Sequence, residues 1–207
     1  KANIFQGVEK KNRRAADVAA TDAKAFHAVV DSRRSVRVYA NDPVPQEVVD
    51  ACLDAALKAP NSSNMQTWEI HHVVDPVKKQ ALIEACLSQP AAATAPELFV
   101  FVARPDLWKR NAGWMLELLN AQPKVPAAAY QYYKKIVPLA YSQGPFGLLA
   151  PFKWLFVNLR GLRKPTPRGP IGKKAVLAVA VKSSALASAH FMLAMRAHGF
   201  DTCPMEG

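Results

Sequence analysis

A long apolar stretch near the end of the chain most constrains the fold. The letters AVLAVAVKSSALASAHFMLAMRAHG predict one helix from about residue 174 to residue 198, and Gly199 is well placed to end it. Because this helix is apolar on nearly every side, we expect it to be buried. The chain has 207 residues, half of them apolar, which suits a single domain over residues 1–207.

Two short segments predict strands. TWEIHHVVD alternates apolar and polar side chains, with Trp68, Ile70, His72 and Val74 on one side. ELFVFVA, residues 97–103, is a continuous apolar run, which is typical of a strand covered on both faces. We expect further strands to complete such a sheet, so the chain is expected to be incomplete at its C-terminal end.

Helices separate and surround these strands. Apolar residues from Gln46 to Lys58 fall at helical spacing. Asp75 is a suitable N-cap for a second helix, with Pro76 at its first position. Residues 106–120 also predict a helix. The fold class is therefore α+β with helices dominant.

Residues 121–174 predict a helical and irregular excursion. They hold eight of the 16 prolines and four of the five tyrosines, and a helix is predicted only over about 127–137. From Lys153 to Lys174 there are seven Lys or Arg and no acid, within a net charge of +11. Such a segment attracts the phosphates of a nucleotide, a nucleic acid or a lipid, or it is a solvated charged face.

Several classes of protein find no support in the residue pattern. Three Cys without CxxC spacing argue against a disulfide framework and favour a reducing compartment. The five His have no metal-ligand spacing, so we expect no metal. No GxSxG or glycine-rich phosphate loop is present. The start of the chain lacks the apolar core of a signal peptide, and we expect a cytoplasmic protein with no membrane span.

Three polar segments are candidate binding sites. SRRSVRVY brings together guanidiniums and a hydroxyl, which suit a phosphate dianion. APNSSNMQTW supplies uncharged amides and hydroxyls, which suit polyols and heterocycle edges, although Pro, Asn and Ser are also ordinary turn residues. PMEG, residues 204–207, follows the apolar helix and ends in a glycine that permits close approach of a flat ligand.

The order of these segments resembles the FMN-dependent nitroreductase family. The resemblance covers roughly residues 26–103 and 175–207. In chain order the matching segments are RRSVRVY, a helix, APNSSNMQTWE with a strand, and later the long apolar helix followed by GFDTCPMEG. The resemblance implies an α+β sandwich with a central, mainly antiparallel sheet flanked by helices. It further implies an intertwined homodimer that binds FMN at the subunit interface.

Site residues follow from the resemblance, position by position. Phosphate and ribityl contacts are implied for Arg33, Arg34, Ser35 and Arg37. The partner subunit is implied to lend Pro60, Asn61, Ser62 and Asn64 to the isoalloxazine and its side chain, with Gln66 in support. The segment implied to pass the flavin near its N5 edge is Pro204, Met205, Glu206 and Gly207. The family uses no single essential acid or base, so no catalytic residue is assigned.

The resemblance also implies an activity. NAD(P)H would give hydride to FMN and leave, and a nitroaromatic, quinone or similar small acceptor would take electrons at the same flavin face. Other flavin chemistry of the family, namely reductive dehalogenation, flavin breakdown or azoline oxidation, is the alternative. A basic module that binds nucleic acid or a membrane surface is a weaker one, and we expect no nucleic-acid partner.

The excursion offers a candidate lid over the flavin. Aromatic residues that could line an acceptor pocket there are Tyr130, Tyr132, Tyr133, Phe146, Phe152 and Trp154. The other possibility is that they pack within the excursion.

Overall fold

A computed structural model describes residues 21–206, so Gly207 lies outside the described residues. Contacts between Cα atoms divide this part of the chain into two compact units. Unit one comprises Asn61–Trp68 and Ala103–Ser183. Unit two comprises residues 21–60, Glu69–Val102 and residues 184–206.

Most predicted elements of unit two are present. Its helices are α1 (Ala23–Ser32), α2 (Gln46–Leu57), α3 (Pro76–Ala85) and α4 (Pro90–Ala93). The predicted start of α3 is confirmed, since Asp75 Oδ1 accepts a hydrogen bond from Lys78 N at 2.9 Å and Pro76 is the first helical residue.

A two-stranded antiparallel sheet joins β1 (Trp68–His72) and β2 (Phe99–Ala103). Val73 N donates to Leu98 O at 2.9 Å, and Arg104 N donates to Thr67 O at 2.9 Å, so the strands run in opposite directions. Both strand predictions are confirmed. The side chains of β2 are half-buried rather than covered on both faces. Within residues 21–206 this strand pairs with β1 alone.

The core of unit two forms where α2 meets the last turns of the long helix α9 (Lys173–Ala197). Cys52 and Ala56 are fully buried against Phe191 and Met195. The Phe191 ring lies 4.7 Å from that of Phe99, between centroids. These contacts fix the sheet against α9 through apolar burial.

Unit one is helical. It contains α5 (Trp108–Asn120), α6 (Ala127–Gln131), a π-helical turn (Tyr132–Ile136), α7 (Val137–Tyr141), α8 (Leu149–Gly161) and the first turns of α9. Its core cluster consists of Met65, Ala112, Val137, Tyr141 and Val176.

Helix α8 lies where the sequence predicts an irregular segment. Pro151 is the third residue of α8, and proline is tolerated in the first turn because those N–H groups have no partner within the helix. Within the predicted helical and irregular excursion the sequence locates no helix here, because Pro151 interrupts the apolar run.

Helix α9 confirms the predicted element, and Gly199 follows it with φ +88°. Its predicted burial holds for one face only, since Leu177, Val181 and Leu186 are 44%, 50% and 43% exposed. Length and composition alone would let α9 cross a membrane, with a mean hydropathy of 1.6 over its most apolar window. Core helices pass the same test, and Val176 and Phe191 belong to the two core clusters.

Candidate functional site

The loop of residues 61–66 has an unusual backbone. It forms a short 3-10 turn over Ser62–Asn64, and Ser63, Asn64 and Gln66 have φ of 58°, 51° and 42°. Residues other than glycine rarely adopt positive φ, and each such residue costs energy that the surrounding structure must offset. Three such residues in one loop indicate that contacts with the surrounding structure hold this backbone conformation.

The loop turns its polar side chains outward. Asn61 Oδ1 accepts a hydrogen bond from Gln66 N at 2.8 Å, which closes the turn. Ser62, Asn64 and Gln66 are exposed, as is Pro60 before them. The loop is therefore a turn, as its composition allows, and it also presents uncharged hydrogen-bonding groups at the surface of unit one.

A buried amide fixes the loop from below. Asn111, on α5, is 6% exposed, and its Nδ2 donates to Met65 O at 2.7 Å and to Gln66 O at 3.2 Å. Sequence reasoning missed this residue. A signal was present, because Asn111 lies four residues from each of the apolar Leu107 and Met115, and a buried amide needs partners.

Three tyrosines of the excursion contact the same loop. The Tyr132 and Ser63 hydroxyl oxygens are 2.7 Å apart, the Tyr133 hydroxyl donates to Ser63 O at 3.1 Å, and the Tyr141 hydroxyl donates to Ser62 O at 3.3 Å. Burial raises the pKa of Tyr133. The structure thus places two of the predicted pocket aromatics beneath the loop, whereas Phe146, Phe152 and Trp154 are exposed.

The arginine segment lies at the end of α1 in unit two. Arg33 caps this helix, and Arg34 donates to the backbone oxygens of Asp31 and Arg33 at 2.7 and 2.8 Å. Within residues 21–206, no carboxylate lies at ion-pair distance from the guanidinium of Arg33, Arg34 or Arg37. Their positive charge is therefore available to an anion.

A parallel bridge brings the arginine segment to the segment that follows α9. Ser35 pairs with Thr202, and Val36 N donates to Thr202 O at 3.3 Å. Arg196 supports this arrangement, because its guanidinium donates to Ser32 Oγ and to Asp201 Oδ1, both at 2.9 Å. Two of the three predicted binding segments are thus neighbours within unit two.

Two polar side chains, those of Thr202 and Tyr39, lie near this bridge on the wall of a mainly apolar cavity. Thr202 Oγ1 is buried and has no hydrogen-bond partner among residues 21–206, so a donor or acceptor of a ligand could satisfy it. Burial, and then Cys203 and Asp201, raise the pKa of Tyr39 to about 12. Tyr39 therefore remains a neutral phenol well beyond neutral pH.

A cavity of about 700 Å³ lies in unit two. Its walls include Val36, Val38 and Phe99, together with Met205 and Glu206. None of Arg33, Arg34, Ser35 and Arg37 lines it. This apolar cavity is therefore not the place where those guanidiniums would hold a phosphate.

Of the predicted site residues, Arg33, Arg34, Ser35, Arg37, Pro60, Pro204, Met205 and Glu206 belong to unit two, and Asn61, Ser62, Asn64 and Gln66 to unit one. Within residues 21–206, no group of three or more His, Cys, Asp or Glu could hold a metal ion. Apart from the exposed carboxylate of Glu206, the polar side chains among these residues are cationic or neutral donors and acceptors.

Comparison with known proteins gives a consistent family. The family model described as "Nitroreductase family" matches residues 30–207. The chain is 45% identical over 71 residues to an NADH dehydrogenase of Thermus thermophilus, and the matched stretch is 34% of this chain and 35% of that protein. It is 38% identical over 88 residues to a 4-nitrobenzoate reductase of Nocardioides, 42% and 35% of the two chains. It is 28% identical over 107 residues to iodotyrosine deiodinase 1 of Rattus norvegicus, 49% and 35% of the two chains.

Solved structures share the fold. A candidate NAD(P)H:FMN oxidoreductase from Staphylococcus epidermidis gives a TM-score of 0.64 at 22% identity, over 91% of this chain and 76% of that one. A candidate nitroreductase in complex with FMN from Exiguobacterium sibiricum gives 0.58 at 24% identity, over 91% and 76%. The matched stretch spans about a third of each curated relative (35%).

Proposed function

The chain belongs to the nitroreductase family, and from this premise we propose that it is an FMN-dependent oxidoreductase. It would take hydride from NAD(P)H and reduce nitroaromatics, quinones or similar small acceptors. The observation that carries the proposal is the Ser35–Thr202 bridge. It sets guanidiniums that have no carboxylate at ion-pair distance within residues 21–206 beside the segment that ends in PMEG.

The residues present fit FMN by their chemistry. Arg33, Arg34 and Arg37 offer fixed positive charge to a phosphate dianion, with Ser35 as a hydroxyl donor between them. The buried Thr202 hydroxyl adds a polar group without a partner among the described residues. Bound FMN would accept hydride and pass electrons on, so the protein needs no nucleophile or metal of its own.

The loop of residues 61–66 would hold the flavin ring and its side chain. We assign Asn61, Ser62, Asn64 and Gln66 to hydrogen bonds with ring heteroatoms and ribityl hydroxyls, and Pro60 to the loop's entry. Pro204, Met205, Glu206 and Gly207 would pass the N5 edge. Glu206 is exposed, and we give it no acid–base role.

We further propose that two copies form an intertwined homodimer in which each loop serves the partner's flavin. The uncovered apolar residues Leu177, Val181 and Leu186 of α9 would be buried in that association, which favours it. The exposed amides of the loop are accessible to a second chain. Cys52, Cys86 and Cys203 are free thiols, which fits a reducing compartment, the cytoplasm.

Steady-state rates would test the activity. NADH and NADPH should each be tried with a panel of nitroaromatics, quinones and enoates. The proposal predicts saturable, FMN-dependent oxidation of at least one nicotinamide with a nitroaromatic or quinone. A purified protein that retains FMN and oxidises neither nicotinamide with any of these acceptors would contradict it.

Reductive dehalogenation is the second candidate. It is favoured by the similarity of the chain to iodotyrosine deiodinase 1. Adding iodotyrosine to the reduced protein distinguishes the two, since release of iodide with no turnover of nitroaromatics would favour this candidate.

A further inference from the structure

Helix α8 of unit one turns a face of small residues and one lysine inward. Ala150, Lys153, Val157 and Gly161 recur at intervals of three and four residues, so they share one face, and all four are half-buried. Lys153 Nζ donates to the backbone oxygens of Ala140, at 3.4 Å, and Ser142. Burial lowers the pKa of this amine. The face that carries the lysine is therefore the one attached to the protein.

The opposite face is apolar and uncovered. Six residues that share it are exposed, namely Leu149, Phe152, Leu155, Phe156, Leu159 and Leu162, the last just beyond the helix. No residue of α8 is fully buried. A surface helix of a globular protein normally buries its apolar stripe, so this exposed stripe marks a contact surface.

Positive charge surrounds this surface. Arg160, Arg163, Lys164 and Arg168 are exposed, and so are Lys173 and Lys174 at the start of α9. Residues 118–183 contain eleven Lys or Arg and not one Asp or Glu. The partner of this surface must therefore accept apolar side chains and positive charge together.

We propose that α8 and the basic segment after it bind the surface of an anionic lipid bilayer. Leu and Phe side chains would enter the boundary between headgroups and acyl chains, while Lys and Arg remain among the phosphates. The 13 residues of α8 rise about 20 Å, which is short of the roughly 30 Å hydrocarbon core. The helix therefore lies on the membrane and does not span it.

Two other partners for the exposed face of α8, a second copy of this chain and a nucleic acid, match its properties less well. A second copy of this chain that placed its own α8 here would bring the same basic segment against the first, and like charges oppose that local contact. Nucleic acid would neutralise the Lys and Arg but would leave the leucines of α8 without an apolar partner. Of these three, an anionic membrane matches both properties.

Vesicle co-sedimentation of the purified chain tests the proposal. We expect the protein to sediment with vesicles of equal parts phosphatidylcholine and phosphatidylglycerol, and to remain in solution with phosphatidylcholine alone. Leu159→Glu should weaken binding at least about tenfold, because a charge replaces an inserted apolar side chain. Leu118→Glu is the matched control, since Leu159 is 58% exposed and Leu118, on α5, is 59% exposed.

A second pair of variants tests the charge. Arg163→Ala/Lys164→Ala should weaken binding and make it less sensitive to salt, whereas Lys58→Ala/Lys78→Ala, with both lysines in unit two, should leave it unchanged. Circular dichroism checks that each variant is folded.

Three outcomes would overturn the proposal. The first is no binding to anionic vesicles. The second is that the apolar face has no specific effect: the Leu159→Glu and Leu118→Glu proteins lose vesicle binding equally, or only the basic variants lose it. Binding of a labelled oligonucleotide in place of vesicles belongs to this outcome. The third is that the unaltered protein does not bind vesicles and that analytical ultracentrifugation shows the Leu159→Glu protein as a monomer where the unaltered protein is a dimer. This result would assign α8 to the contact between copies.

Discussion

The hydroxyl oxygens of Tyr132 and Ser63 lie 2.7 Å apart, although 69 residues separate them in the chain. Tyr133, the next residue, donates to the backbone oxygen of the same serine at 3.1 Å. The excursion therefore holds the loop of residues 61–66 in its left-handed backbone conformation. Residues far along the chain therefore determine the shape of a candidate cofactor loop.

Removing both phenol hydroxyls should loosen that loop. Tyr132→Phe/Tyr133→Phe is expected to lower the free energy of unfolding by about 1–3 kcal/mol, for two hydrogen bonds, and to weaken FMN binding several-fold by releasing the loop. Urea unfolding and flavin-fluorescence titration measure the two effects. Tyr130→Phe is the control, since the Tyr130 hydroxyl makes no hydrogen bond within residues 21–206. Equal FMN affinity in the unaltered protein, the double variant and this control would contradict the role given to the loop.

The guanidiniums of Arg33 and Arg37 should act on FMN through its phosphate. Arg33→Ala/Arg37→Ala is therefore expected to weaken FMN binding by at least tenfold, at about 1.5–3 kcal/mol for each charged hydrogen bond. Riboflavin, which lacks the phosphate, should bind this variant and the unaltered protein equally. Lys58→Ala is the control for general loss of positive charge. A parallel loss of riboflavin affinity would show that the two arginines do not act on the phosphate.

Mixed dimers test whether the loop acts on the partner's flavin. Asn64→Ala should loosen FMN and leave the fold of the subunit intact, and Asn64→Gly repeats the change without the cost of an alanine at positive φ. Mixing this variant with Arg33→Ala/Arg37→Ala under conditions that exchange subunits should restore tight FMN binding at about a quarter of the sites, because each mixed dimer contains one intact site.

If the loop serves its own subunit, mixing restores nothing. Each variant alone supplies the baseline, and sedimentation velocity confirms that subunits have exchanged.

Tyr39 should titrate late. Burial beside Cys203 and Asp201 raises its pKa from 10.0 to about 12, so the stability that depends on the neutral phenol is complete below pH 10 and is lost as the pH rises towards 12. The difference between the ultraviolet titrations of the unaltered protein and of Tyr39→Phe isolates this group. A step near pH 10 would mean that Tyr39 is not packed against the segment after α9.

Local signals explain what the sequence predicts well. The start of α3 depends on Asp75 and Pro76, which are adjacent residues, and the end of α9 depends on Gly199 alone. The supports of the loop could not be predicted in the same way, because Asn111 and Tyr141 reach it across 45 to 79 residues of sequence. Helix α8 was missed because its apolar face points outward and Pro151 stands in its first turn.

The flavin itself gives the most direct test of the proposed function. The purified protein should be yellow, and heat or acid denaturation should release a flavin that comigrates with FMN and not with FAD. Apoprotein prepared in this way should regain the flavin spectrum when FMN is added, and should regain it poorly if it carries Arg33→Ala/Arg37→Ala. A colourless protein whose apo form does not take up FMN at any concentration tried would contradict the account.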